Sequence, residues 1–156
     1  MGEQTPAAQR CGFVALIGAP NVGKSTLINA LVGAKVSIVT PKVQTTRNLI
    51  RGIAIEGDAQ LIFVDTPGIF SPRRRLDRAM VGTAWGSTQD ADLVALLIDS
   101  RRGLKEDDEK ILHGLGEIRP AKVLVLNKID LVDKLALLAL TRETNRHAIS
   151  AGSAVR

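Results

Sequence analysis

Apolar positions in this chain fall into short runs of strand length, separated by stretches with helical spacing. Phe13-Val14-Ala15-Leu16-Ile17, Leu93-Val94-Ala95-Leu96-Leu97-Ile98 and Lys122–Leu126 are nearly continuous apolar runs, as expected of strands covered on both faces. Leu49–Glu56 is different: Ile53 and Ile55 share one face, the mark of a partly exposed edge strand. Gly57-Asp58 is a turn signal, and Gln60–Val64 is the next strand, so these two predict an antiparallel hairpin. Helical patterns cover Thr26–Val32, Leu76–Thr88, Lys105–Leu115 and Leu131–Thr144, the last with Leu131, Leu135 and Leu138 in phase. Strands alternating with helices imply parallel strands joined by right-handed crossovers. The predicted fold is α/β: a mostly parallel sheet, one antiparallel edge hairpin, helices on both faces. Residues 1–10 read as a loose polar arm, 11–144 as the domain and 145–156 as an irregular tail of small polar residues.

In such a sheet ligands sit beyond the carboxyl ends of the strands. Three candidate motifs fall there. Gly18-Ala19-Pro20-Asn21-Val22-Gly23-Lys24-Ser25, followed by Thr26, has the G-x-x-x-x-G-K-S form between an apolar strand and a helix. Gly18 and Gly23 permit a tight turn whose N–H groups converge, and the helix dipole adds positive potential, making an anion cradle. Lys24 would reach β- and γ-phosphates and the Ser25 hydroxyl would bind Mg²⁺. This predicts a P-loop NTPase.

Asp65-Thr66-Pro67-Gly68-Ile69 closes the second strand of the hairpin. Asp65 fits a carboxylate that holds Mg²⁺ directly or through water, and Gly68 lets its N–H approach a γ-phosphate. Asn127-Lys128-Ile129-Asp130 closes the last apolar run. A carboxylate at Asp130 can accept from both guanine donors, N1–H and the exocyclic amine, a pair that adenine lacks. Lys128 can lay its aliphatic stem on a base, while Asn127 suits tying loops together. Asp99 ends another strand at the same edge. Each tetrapeptide is also an ordinary polar strand exit; their convergence on one sheet edge is what carries the reading.

Composition narrows the options. The 156 residues, 45% hydrophobic, suffice for one domain with a core. No apolar run approaches a membrane span, and the first ten residues lack the apolar segment of a signal peptide. The single cysteine, Cys11, excludes an internal disulfide framework and is expected to be a small buried hydrophobe beside the first strand. A net charge of +5 is compatible with an RNA or anionic surface. Three Phe, one Trp and no Tyr leave too few aromatics for a base-stacking platform.

G-A-P-N-V-G-K-S-T-L-I-N, V-Q-T-T-R, F-V-D-T-P-G-I, A-D-L-V and N-K-I-D, in this order over residues 12–140, resemble the Era-like GTPases of the translation-factor class. The resemblance implies GTP hydrolysis, a switch between GTP and GDP states, and a role in small-ribosomal-subunit assembly with 16S rRNA and the 30S subunit as partners. It further implies a cytoplasmic monomer that can also lie peripherally at the inner membrane. Thr46, with Thr45 as second choice, would coordinate Mg²⁺ in the GTP state, and Asn21 would help bind K⁺ beside the phosphates. Ile69 stands where many GTPases carry a water-orienting glutamine, so slow turnover resting on Lys24, Mg²⁺ and K⁺ is expected. Arg73-Arg74-Arg75 is either an RNA contact or a solvated charged loop.

Two departures qualify the resemblance. No G-x-x-G clamp of a KH RNA-binding domain follows, so RNA binding by this segment is in doubt. The family's last strand and helix are also expected to be missing, although Ser150-Ala151 matches its guanine-touching S-A loop. The competing readings are a guanine-nucleotide-binding remnant with little turnover and a P-loop ATPase or kinase, the latter opposed by Asn127–Asp130.

Overall fold

A computed structural model describes residues 10–34, 49–72 and 75–150. Strand β1, Arg10–Ile17, starts three residues before the apolar run because Arg10, Cys11 and Gly12 continue its ladder beside Ala59, Gln60 and Leu61. Helix α1, Lys24–Val32, follows the phosphate-loop motif and ends on Gly33, whose φ of 73° is the left-handed stop that glycine adopts freely. Strands β2 (Ile50–Glu56) and β3 (Ala59–Asp65) form the antiparallel hairpin over the Gly57-Asp58 turn. Helix α2 (Arg75–Gln89), β4 (Leu93–Asp99), α3 (Glu106–Leu115), β5 (Ala121–Asn127) and α4 (Lys134–Ser150) complete the order. The sheet runs β2-β3-β1-β4-β5, parallel throughout except for β2 against β3.

The period of two along β1 and β4 divides the core between two faces. Ala15, Ile17, Val94, Leu96 and Ile98 join Ala84 of α2, Ile111 and Leu115 of α3 and Ala148 of α4 on one face. Val14, Leu16, Ala95 and Leu97 join Phe63 and Ile28 of α1 on the other. Helices therefore cover both faces, as the apolar runs require. On β2 the outward positions include Ile53 and Ile55, 49% and 76% exposed, so the edge strand is wetter than its apolar content suggests.

Three expectations change. The tail assigned to residues 145–156 is helical as far as Ser150, because Leu140, Thr144 and Ala148 continue one buried stripe at four-residue spacing and no Gly or Pro interrupts it. That helix begins later than expected: Ile129–Leu131 is a short 3-10 turn, and Asp133 Oδ1 accepts from Ala136 N, 2.8 Å, at the start of α4. Cys11 is exposed, not buried: it lies at the amino end of β1, whose first two residues are both exposed and whose burial begins further along the strand. Among the described residues no strand follows β5, which forms the sheet edge. Residues 1–9 of the expected arm lie outside the described residues.

Candidate nucleotide-binding site

The site lies where β1, β3, β4 and β5 end at one sheet edge. At the phosphate loop, backbone geometry dominates. Gly18 has φ 150°, and a Cβ there would stand 2.6 Å from Leu97 O, so β4 and the loop touch through bare backbone. Gly23 has φ 102°, and a Cβ would collide with Asn127 Nδ2. Only glycine lets the loop after β5 come this close. Ala19 and Val22 are 1% exposed and anchor the loop in the core.

Lys24 is buried, and its Nζ donates to Gly18 O at 3.1 Å and Ala19 O at 3.0 Å. The ammonium is thus folded into the cradle it would share with a phosphate. Burial pulls its pKa down to about 8, partly opposed by the nearby Asp65 carboxylate. Ser25, also buried, donates its hydroxyl to Asp65 Oδ2 at 2.6 Å, and Asp65 is fully buried. A hydroxyl and a carboxylate oxygen in contact at the mouth of an anion cradle are the hard donors that Mg²⁺ takes, with phosphates and waters supplying the rest. The residues present therefore fit that ion.

Thr66 is turned away from the cradle. Its hydroxyl donates to Leu16 O at 2.6 Å, locking the end of β3 to β1. Ile69 N donates to Gly18 O at 3.0 Å, and a Cβ on Gly68 would stand 2.8 Å from Pro20 Cγ. The loop after β3 is thereby seated on the phosphate loop, with Pro67, Gly68 and Ile69 buried.

The loop after β5 is tied in by side chains instead. Asn127 Nδ2 donates to Val22 O at 2.8 Å, the loop-tying role its position suggested. Lys128, at φ 59°, donates through Nζ to Asn21 O at 2.8 Å and to Asp99 Oδ2 at 2.6 Å. Ile129 and Asp130 are exposed in the 3-10 turn, leaving the carboxylate open to a ligand.

Residues 13–128 match the family model described as "50S ribosome-binding GTPase". The chain belongs to this GTPase family. GTPase Era of Bradyrhizobium diazoefficiens is 65% identical over 91% of this chain and 46% of its own length. GTPase Era of Rhizobium meliloti is 68% identical over 87% of this chain and 44% of its own. The chain thus spans about half the length of the curated relatives it matches. A crystal structure of Era in complex with MgGDPNP and nucleotides 1506–1542 of 16S ribosomal RNA superposes with a TM-score of 0.85 at 37% identity, over 94% of this chain and 50% of that one. Aquifex aeolicus Era bound to GDP and AlF4⁻ gives 0.84 at 38% identity.

Within this GTPase domain the expected site residues Gly18–Thr26, Asp65–Ile69 and Asn127–Asp130 come together at one edge. Thr45, Thr46, Arg73, Arg74 and Ala151 lie outside the described residues. Ser150 stands in the last turn of α4, its hydroxyl bonded to His147 O at 2.9 Å, and so is not part of a loop of the S-A kind. Asp99 had a place at the edge but no role; its role is to hold Lys128. The signal was available only through register, because Asp99 pairs with Asn127 across β4 and β5. Burial pulls the Asp99 pKa up, but the hydrogen bond and charge of Lys128 and the N–H groups of Arg101 and Arg102 outweigh it, and the net shift is downward.

Proposed function

We propose that this chain is a GTP-binding, GTP-hydrolysing domain that alternates between GTP and GDP forms. The observation that carries the reading is the side-chain bridge between a phosphate cradle and an N-K-I-D loop with an open Asp130. A cradle alone binds the phosphates of any nucleotide; a carboxylate suited to guanine, two residues beyond that bridge, supports selection of the base as well.

On binding, the Lys24 ammonium exchanges Gly18 O and Ala19 O for phosphate oxygens, and the loop N–H groups converge on the negative charge. Ser25 and Asp65, together with Thr46, would hold Mg²⁺, which would supply charge neutralisation to the phosphates. The Gly68 N–H follows the γ-phosphate, so its loss on hydrolysis is felt through the Pro20 and Gly18 contacts. Ile69 is buried and apolar and orients no water, which makes turnover slow. Asn21 is exposed in a left-handed backbone conformation at the cradle, which supports a K⁺ contact there.

The same buried Ile69 is equally compatible with a second reading, a guanine-nucleotide binder with little turnover. Multiple-turnover phosphate release with Mg²⁺, in K⁺ against Na⁺, separates the two: slow GTP turnover faster in K⁺ is expected, silent for ATP and abolished by Lys24→Ala. ATP binding equal to that of GTP overturns the guanine assignment. By its relatives the reading extends to ribosome assembly. The 16S rRNA complex of the structural neighbour and the +5 charge support small-subunit rRNA as partner; the family resemblance alone adds a cytoplasmic monomer. Co-sedimentation with each ribosomal subunit in GTP and GDP tests it. No helix among the described residues is long and apolar enough to cross a membrane.

A further inference from the structure

Two non-glycine residues, Asn21 and Lys128, have a positive φ among the described residues, at 62° and 59°. They are bonded to each other: Lys128 Nζ donates to Asn21 O at 2.8 Å. Backbone conformations of this kind cost about 1–3 kcal/mol each and persist only where their surroundings enforce them. The other partner of the Lys128 ammonium is Asp99. Its carboxylate is 2% exposed, accepts from Lys128 Nζ at 2.6 Å through Oδ2 and from Arg101 N at 3.0 Å through Oδ1. With both oxygens engaged inside the protein, Asp99 does not face a ligand. The same β4 exit reaches the phosphate loop again where Arg102 Nη1 approaches Pro20 O at 3.5 Å, and Ser100 N donates to Asn127 O at 2.9 Å.

We propose that Asp99 is a positioning residue that couples guanine recognition to the phosphate loop by holding the Lys128 ammonium on the Asn21 carbonyl. This rests on the GTP-binding reading above. Without the carboxylate, Lys128 swings toward solvent and its backbone leaves the left-handed region. Asp130, two residues on, then loses its place, and the Asn21 turn loses the donor on its carbonyl. One residue that touches no nucleotide therefore governs affinity at both ends of it.

The test is a double-mutant cycle on GDP affinity and release rate with Asp99→Asn, Lys128→Met and the double variant, folding being checked by circular dichroism. Coupling between sites of this kind is typically about 5- to 150-fold. Each single change is expected to weaken GDP binding within that range, chiefly by faster release. The double variant is expected to lie within about threefold of either single one, because both break the same contact. A role confined to general stability predicts additive losses instead, and additive losses overturn the proposal. So does a Lys128→Met protein, altered at a side chain 27% exposed, that folds and binds GDP like the parent. Failure of the parent chain itself to bind GDP overturns the function and this role with it, and is distinguished by the parent measurement alone.

Discussion

The two halves of the site are built by different means. The phosphate half is buried and set by backbone: Lys24, Ser25 and Asp65 are 7%, 8% and 0% exposed, and Gly18 and Gly68 leave no room for a methyl group. The base half is open and set by side chains: Asn127 and Lys128 reach across to Val22 O and Asn21 O, while Ile129 and Asp130 face solvent. A preformed cradle loses little entropy on binding phosphates, which every nucleotide carries. Selectivity needs a site that leaves its own polar group unpaired with the wrong base. Keeping that group in water until the base arrives avoids a permanent buried, unsatisfied carboxylate.

The sharpest way to break this contrast is Asp130→Asn. Two hydrogen bonds to a charged acceptor are worth about 1.5–3 kcal/mol each, so GDP affinity should fall about 10²–10⁴-fold. Because Asp130 is exposed, the unfolding midpoint without nucleotide should stay where it is. Xanthosine diphosphate, which offers an oxygen where guanine has its amine, should recover much of the loss. An unchanged preference between the two in a competition titration would mean that the base half does not select.

Gly68→Ala tests the other half. The added carbon would stand 2.8 Å from Pro20 Cγ and 2.9 Å from Pro20 Cα and N, and a backbone neighbour cannot swing aside. Overpacking of this kind costs about 1–3 kcal/mol, so fold stability and GDP affinity should fall together, the affinity by up to about a hundredfold. Gly82→Ala, on α2 with nothing within 4 Å of the new carbon, is the control and should stabilise by about 0.5–1 kcal/mol. Equal effects of the two, read by chemical unfolding and GDP titration, would show that the loop after β3 is not seated on the phosphate loop as described.

Much of the molecule was legible because its determinants are local. The apolar runs at Phe13–Ile17 and Leu93–Ile98 encode strands covered on both faces, and their alternate residues do divide between two cores. The phosphate loop was legible because its motif is contained within eight residues of chain. What escaped depends on contacts distant in sequence. Asp99 acquires a purpose only when β4 and β5 are placed in register. Thr66, read as part of the site, bonds to Leu16, fifty residues away. Gly23 is needed as much for the approach of Asn127 as for its own turn. The extension of α4 past Thr144 rests on Ala148 reaching the core beside α3, which a polar composition at 145–150 conceals.

The smallest effect expected is also the most specific to the buried half. Lys24 titrates near 8 in the fold, against 10.5 for the free side chain, because burial disfavours its charged form. The unfolded chain therefore binds more protons than the native one between those values, and stability rises with pH across that window. Lys24's own contribution is fully present above about pH 10.5 and is lost as pH falls through about 8. Lys24→Met removes the titration and keeps most of the stem packing. Native protein should gain about 1 kcal/mol on this variant between pH 7 and pH 9, where one proton's difference is worth about 1.4 kcal/mol per pH unit. Paired urea titrations read the difference without depending on the other lysines, which both proteins share. GDP should flatten it, since a bound phosphate supplies the charge that the empty cradle lacks and keeps Lys24 protonated. A difference that stays constant with pH would place the ammonium in water, and the phosphate half would then be as open as the base half.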